Sequence, residues 1–345
     1  MTPRHHTGRP PAGGRRYDVT GLGNPLVDVL VNVEEEFLEE NGLTKGIMHL
    51  IDRDRKEVLL RKLEGREIFT EVGGSAPNTI STLALLGAGT ALTGSVGQDT
   101  YGEVFGDKMR EKSIDSFLSV KEEEDTGVCI IPITPDKERT MNTYLGACRA
   151  YTSADLPEEA IAGSRFFYFT GYMWDTENQK QAVTRAISIA RSAGALIVFD
   201  IADPFAVERH RDDFIRLIRE TADIVFANAQ EAHFLKEAEM LAGDTACEDA
   251  RYLGRLCEVA VVKNGAGDTQ IVNGGDLLAV PSFTCCVEDT TGAGDNFAAG
   301  FLYGLIHDLP LDRCGRIASL VASKTIQKIG AHAPENILQA VQEVL

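Results

Sequence analysis

The chain reads as an α/β protein: a three-layer sandwich with a mostly parallel central sheet, and a small separate β-sheet serving as a lid. Three observations predict this. From Phe166 onward, short β-rich runs alternate with helical patterns, which implies right-handed crossovers and a parallel sheet covered on both faces. Before that point, several β-like runs are not each followed by a helix, so they belong to a sheet of their own. A length of 345 residues with 43% hydrophobic composition suits one large domain with an appendage.

Taken in order, residues 1–16 are rich in Pro, Gly and Arg, lack the apolar stretch of a signal peptide and read as a disordered tail. The domain proper is 17–345. A first strand closes at Gly21-Leu22-Gly23-Asn24-Pro25-Leu26-Val27-Asp28. The β-like runs Val29–Val33, Gly46–Ile51, Gly127–Ile133 and Thr140–Tyr144 form the lid, in segments about 29–52 and 126–145. Between them, the helical patterns Ala76–Leu86 and Gly102–Lys112 and the strand Ala91–Val96 belong to the main layer. Strands at Phe166–Thr170, Leu196–Ile201, Asp223–Ala227 and Val259–Lys263 then alternate with helices such as Gln179–Ser192 and Asp212–Thr221. Since open parallel sheets bind ligands beyond the carboxyl ends of their strands, Asp200, Asn228, Lys263 and Asp289 are expected along one edge.

The formal net charge is −18, with acidic runs at 34–36 and 122–125, so a nucleic-acid partner is disfavoured. A nucleotide is still compatible, because a local cradle and a metal ion override the global field. Seven scattered cysteines without metal-type spacing indicate a reduced, cytoplasmic setting and no structural transition metal. No apolar stretch approaches the ~18 residues of a membrane span.

The β-rich run Ala279–Val287 leads into Asp289-Thr290-Thr291-Gly292-Ala293-Gly294-Asp295 and then into a helical pattern through Phe297, Phe301, Leu302 and Leu305. Strand, glycine turn and helix start make an anion cradle, because the first N–H groups of a helix have no internal partner. A carboxylate in that turn makes chemical sense where a hydroxyl must be met beside a phosphate. No Walker-type Gly-Lys-Ser/Thr accompanies it.

With a second glycine motif, Gly73-Gly74-Ser75-Ala76-Pro77-Asn78-Thr79, the chain resembles the PfkB-type carbohydrate and nucleoside kinases, the ribokinase family, over essentially residues 17–345. The resemblance implies a ribokinase-like fold and ATP-dependent phosphoryl transfer. It implies Asp295 as general base, with Gly292, Ala293 and Gly294 amides as the anion hole and Arg139 as a lid arginine over the phosphates. For the substrate it implies Gly73, Gly74 and Asn78 as the sugar-binding loop, with Asp28 bridging vicinal hydroxyls and Asn24 beside it. Pro77 departs from the family's usual small residue or Gln but is well tolerated in a first helical turn.

Asn228-Ala229-Gln230-Glu231 matches the element that organises Mg²⁺ and its waters, with Glu231 acting through solvent. Gly265, in Lys263-Asn264-Gly265-Ala266-Gly267, is implied as an ATP contact. Lys263 is a departure from the usual hydroxyl residue, pointing either to ATP or to solvent. Asp289 and Thr291 are the positions matching a monovalent site, with potassium as a secondary expectation.

The spelling looks most like bacterial adenosine-kinase-like members. An adenine needs flat apolar walls, for which Tyr172, Met173, Cys129 and Ile47 are candidates, although all are equally suited to a core. The leading expectation is phosphorylation of a primary ribosyl hydroxyl, most of all that of adenosine. The alternatives are a ribokinase- or fructokinase-like sugar kinase and a non-catalytic nucleoside-binding regulator. The partners expected are a small nucleoside or sugar, no nucleic acid and no membrane, with the chain a monomer or homodimer.

Overall fold

The computed structural model describes residues 15–237 and 245–344. The tail expected at 1–16 lies outside these except for its last two residues, and Arg16 N donates to Gly163 O at 2.9 Å as the chain enters the first strand.

Fourteen strands are described: β1 Tyr17–Leu22, β2 Leu26–Asn32, β3 Met48–Leu50, β4 Ile68–Gly73, β5 Thr90–Gly97, β6 Asp115–Lys121 and β7 Gly127–Ile133, followed by β8 Met141–Tyr144, β9 Ser164–Thr170, β10 Leu196–Asp200, β11 Ile224–Asn228, β12 Val259–Lys263, β13 Thr269–Asn273 and β14 Asp276–Val280. The helices are α1 Glu35–Glu40, α2 Arg53–Lys62, α3 Ser75–Leu85, α4 Thr100–Glu111, α5 Glu158–Ala162 and α6 Glu177–Ser192, then α7 Pro204–Thr221, α8 Ala229–Glu237, α9 Ala246–Leu253, α10 Ala293–Ile306, α11 Leu311–Thr325 and α12 Ile337–Gln342.

The large sheet has the order β14-β13-β12-β11-β10-β9-β1-β5-β6, parallel from β12 through β6, with β13 and β14 antiparallel at one edge. Strand alternation sends side chains to two cores. Phe166 and Tyr168 join α3, α10 and α11 on one face, while Phe167 and Phe169 join α6 and α7 on the other. That is the expected three-layer sandwich.

The small sheet, β3-β8-β7-β2-β4, is the expected lid with one strand more than the sequence indicated. Its outer face packs Val29, Val31, Val128 and Ile130 against α1 and α2. Asp28 and Cys129, paired in register across β2 and β7, therefore point the other way, toward the large domain. Asp28 thus belongs to a lid strand and does not close the first strand.

Of the expected β-rich run Ala279–Val287, only Ala279 and Val280 are strand. Strand β14 stops at Val280, because Pro281 has no N–H to continue a ladder, and 281–288 follow without regular structure. The glycine turn is positioned from the other side, where Glu288 N donates to Ile326 O at 2.8 Å just past α11.

Candidate active site

Between the lid and the carboxyl ends of β10, β11 and β12 lies a cavity of about 1150 Å³. Asp200, Asn228 and Lys263, the last residues of those strands, all line it. Asp289, expected with them, does not.

Gly292 caps α10 with φ +72°, where a methyl group would lie 2.5 Å from Ala331 O, so only glycine closes this turn. Asn296 locks it, its Nδ2 donating to both Gly292 O and Ala331 O at 2.7 Å. Of the three amides expected to bind phosphate, Ala293 N donates internally to Thr290 O at 3.2 Å. The N–H groups of Gly292 and Gly294 have no acceptor among the described residues, so they are the two left free to meet an anion.

Asp295 stands in the first turn of α10. Its Oδ1 accepts from Ser75 Oγ at 2.6 Å and its Oδ2 from Asn78 Nδ2 at 2.9 Å. Burial pushes its pKa up to about 6, with the two hydrogen bonds holding it below what burial alone would give. A carboxylate so placed is ionised at neutral pH and still basic enough to accept an alcohol proton. Asn78 accordingly spends its amide nitrogen on Asp295, not on a sugar, and offers its partnerless, buried Oδ1 instead.

On the lid side, burial and the cross-strand neighbour Glu71 raise Asp28 to about 7. Gly73 does not line the cavity. It makes room, since a methyl there would lie 2.6 Å from both Asp28 carboxylate oxygens. Gly74, at φ +101°, passes so close to Asn24 O that a methyl would sit at 2.2 Å. Asn24 is held by Gln179 Nε2 at 3.1 Å and faces the cavity beside it.

Cys129 and Tyr172 line the cavity as expected. Met173 does not, because it is fully buried in the core with α6 and α7, and Ile47 is turned to solvent. The apolar lid wall is made by Met48, Leu50 and Met141 instead. Sequence reasoning missed these because strands as short as β3 carry almost no periodicity.

Arg139 also departs from expectation. Its guanidinium pairs with Asp289 at 2.9 Å, both side chains about nine-tenths buried, and does not line the cavity. Asp289 further accepts from Thr291 N and Oγ1 at 2.9 and 2.7 Å and from Gly330 N at 2.8 Å. Burial notwithstanding, these donors hold its pKa below the usual carboxylate range. Beside Asp289 the positive charge is thus Arg139, whose guanidinium competes with any monovalent cation there.

Asn228 and Glu231 form a reciprocal box at the start of α8, with Asn228 Nδ2 donating to Glu231 Oε1 at 2.7 Å and Glu231 N to Asn228 Oδ1 at 2.8 Å. Burial raises Glu231 to about 7, against the pull of Lys263. Gly265, at φ +55° in the turn after β12, borders the cavity with open space around it. Unassigned from sequence were Ser75 and Tyr168, whereas Asp200 was expected at the ligand edge without a role. Tyr168 donates to Asp200 Oδ2 at 3.2 Å and accepts from Thr79 Oγ1 at 3.1 Å, tying the sheet edge to the loop that holds Asp295.

A buried carboxylate of raised pKa beside two free amides, at the sheet edge and under a lid, is the arrangement that phosphoryl transfer to an alcohol needs. Residues 45–337 match the model of the pfkB family carbohydrate kinases, and the chain belongs to that family. It is 27% identical over 340 residues to an adenosine kinase of Schizophyllum commune, covering 91% of this chain and 96% of that one. A crystal structure of adenosine kinase from Sinorhizobium meliloti superposes with a TM-score of 0.86 at 35% identity, covering 96% of this chain and all of that one. A probable sugar kinase from Rhizobium etli superposes with a TM-score of 0.87 at 34% identity, covering 96% and 99%. Family membership implies ATP as phosphoryl donor and, typically, Mg²⁺. Among the described residues no helix is long and apolar enough to cross a membrane.

Proposed function

We propose that the protein phosphorylates the 5′-hydroxyl of adenosine with ATP, giving AMP and ADP. The observation that supports this best is the pairing of a hydroxyl-binding carboxylate, Asp28, with an apolar lid wall of Met48, Leu50, Met141 and Cys129 on the same face of the cavity. A bare sugar needs the carboxylate but has nothing to lay against the wall, whereas a purine matches it by area and by sulfur contact. The relatives named adenosine kinase support the same reading.

In this mechanism Asp28, Asn24 and the Asn78 oxygen hold the ribose so that its primary hydroxyl meets Asp295. That carboxylate takes the proton as the oxygen attacks phosphorus, a service worth about 10²–10⁴ in rate. Gly292 and Gly294 amides meet the charge that spreads over the phosphoryl oxygens. The cradle fits a phosphate, since Gly292 has no room for a side chain and leaves its N–H bare. Gly265 borders the nucleotide half. Asn228 and Glu231 are the residues that would hold magnesium, Glu231 through water, and the ion would neutralise phosphate charge.

Seven free cysteines, three of them buried, support a reducing cytoplasmic setting. Where two copies associate, the exposed edge of β4, with Ile68 and Phe69 outward, is the surface available to pair, and sedimentation velocity separates monomer from homodimer.

ADP release measured with adenosine, inosine, ribose and fructose tests the assignment. Adenosine is expected to give the highest kcat/KM. A higher value for ribose or fructose replaces the reading with a sugar kinase, and no ADP with any of them leaves a nucleoside-binding regulator.

A further inference from the structure

Lys263 is a cation of the cavity floor whose charge the mechanism above leaves unused. It ends β12 with only 15% of its side chain exposed, and its Nζ lies 3.4 Å from Asp200 Oδ1. That contact is long for a charge-assisted hydrogen bond, and Asp200 is its only hydrogen-bond acceptor among the described residues. A methyl group placed on Gly294 would sit 3.1 Å from Nζ, so the ammonium lies directly against the residue whose free N–H forms the anion hole.

The charge inventory explains why a cation is needed at this spot. Asp200, Glu231 and Asp295 all face Lys263, and three carboxylates at a phosphate site repel the substrate that must enter it. Among the described residues lining the cavity, the only other lysine or arginine is Arg209 of α7. Arg139 is consumed by Asp289. Burial would strip the lysine proton, but the three carboxylates outweigh it and raise the pKa, so the side chain stays charged.

We propose that Lys263 is a catalytic residue whose ammonium bonds an oxygen of the phosphoryl group in transfer, and that Asp200, held by Tyr168, is the positioning residue that parks it there. The proposal rests on the reading that transfer occurs at Gly292–Asp295. In the step, the bond from the acceptor oxygen to phosphorus forms as the bond from phosphorus to the ADP oxygen breaks. Asp295 takes the hydroxyl proton, and Lys263 keeps its own throughout. Its ammonium adds to the fixed Gly292 and Gly294 amides a mobile full charge, one that can follow the phosphoryl group across the gap.

Two variants test this, Lys263→Met and the double variant Lys263→Met/Asp200→Asn, which removes both members of the buried pair so that Asp200 is not left without its counter-charge. Both are expected to lower kcat by about 10²–10³ while KM for the acceptor alcohol changes little. Calorimetry with magnesium-ADP and a magnesium-bound non-hydrolysable ATP analogue gives the second readout. The wild-type preference for the triphosphate should fall by about tenfold or more in both variants, as expected for loss of a charged contact to the third phosphate.

A double variant with near wild-type kcat would show that Lys263 merely neutralises Asp200, and an unchanged triphosphate preference would also overturn the proposal. If wild type turns over no alcohol at all, the proposed function fails, while the calorimetric comparison still decides whether Lys263 meets the terminal phosphate.

Discussion

Two aspartates six positions apart, Asp289 in the loop before α10 and Asp295 in its first turn, are given opposite characters by the fold. Asp289 is pinned by three N–H or O–H donors and the Arg139 guanidinium, so its pKa is held down and its charge is fixed. Asp295 is buried on two neutral donors, and its pKa rises to about 6. One fastens the lid hairpin to the loop, and the other is poised to exchange a proton. The same residue type becomes a rivet or a base according to whether its partners bring a full charge.

The largest effect should come from the Asp295 end. Asp295→Asn is expected to lower kcat by about 10²–10⁴ with adenosine affinity retained, as read from steady-state rates and equilibrium binding. Equal turnover in the variant would move the base elsewhere.

At the other end, Arg139→Ala leaves Asp289 buried without its counter-charge. The expected cost is about 3 kcal/mol of stability, seen as a loss of several degrees in Tm, with kcat reduced far less than in Asp295→Asn. A variant that keeps its Tm but loses turnover would return Arg139 to the phosphates.

The raised carboxylates give a pH signature that separates stability from activity. Asp28 and Glu231 at about 7 and Asp295 at about 6 all titrate above their unfolded values. Between those values and about 4, the folded state binds more protons than the unfolded one, so stability should rise as pH falls from 8 toward 5. Activity should fall over the same range as Asp28 and then Asp295 protonate. Tm and kcat/KM measured across this window should therefore move in opposite directions, and parallel curves would contradict these assignments.

The smallest effect concerns potassium. With Arg139 already against Asp289, exchanging potassium for choline at constant ionic strength, so that screening is unchanged, should alter kcat by less than about twofold. A strong dependence would show that Arg139 yields its place.

The glycine turn with its free amides was legible in the sequence because it is local: Gly292, Gly294 and Asp295 lie within one turn, and a helix start imposes the rest. The strand ends at Asp200, Asn228 and Lys263 were equally readable, since their positions follow from the β-rich runs before them. What stayed hidden depends on register and crossings between distant segments. Gly73 is needed for Asp28 only because β4 pairs with β2, and β4 itself, an edge strand largely exposed, gave no alternating pattern to read. Met173 looked like a base wall until the short turn after β9 buried it among α6 and α7. Arg139 lay on a recognisable hairpin, but its partner is 150 residues away in sequence.

The most direct test is a crystal structure with adenosine and a non-hydrolysable ATP analogue bound together. The account predicts a carboxylate oxygen of Asp295 within about 3.2 Å of the 5′-hydroxyl, on the side opposite the analogue's terminal phosphate. A 5′-hydroxyl directed at another side chain, with Asp295 still closed on Ser75 and Asn78 and remote from both ligands, would contradict it.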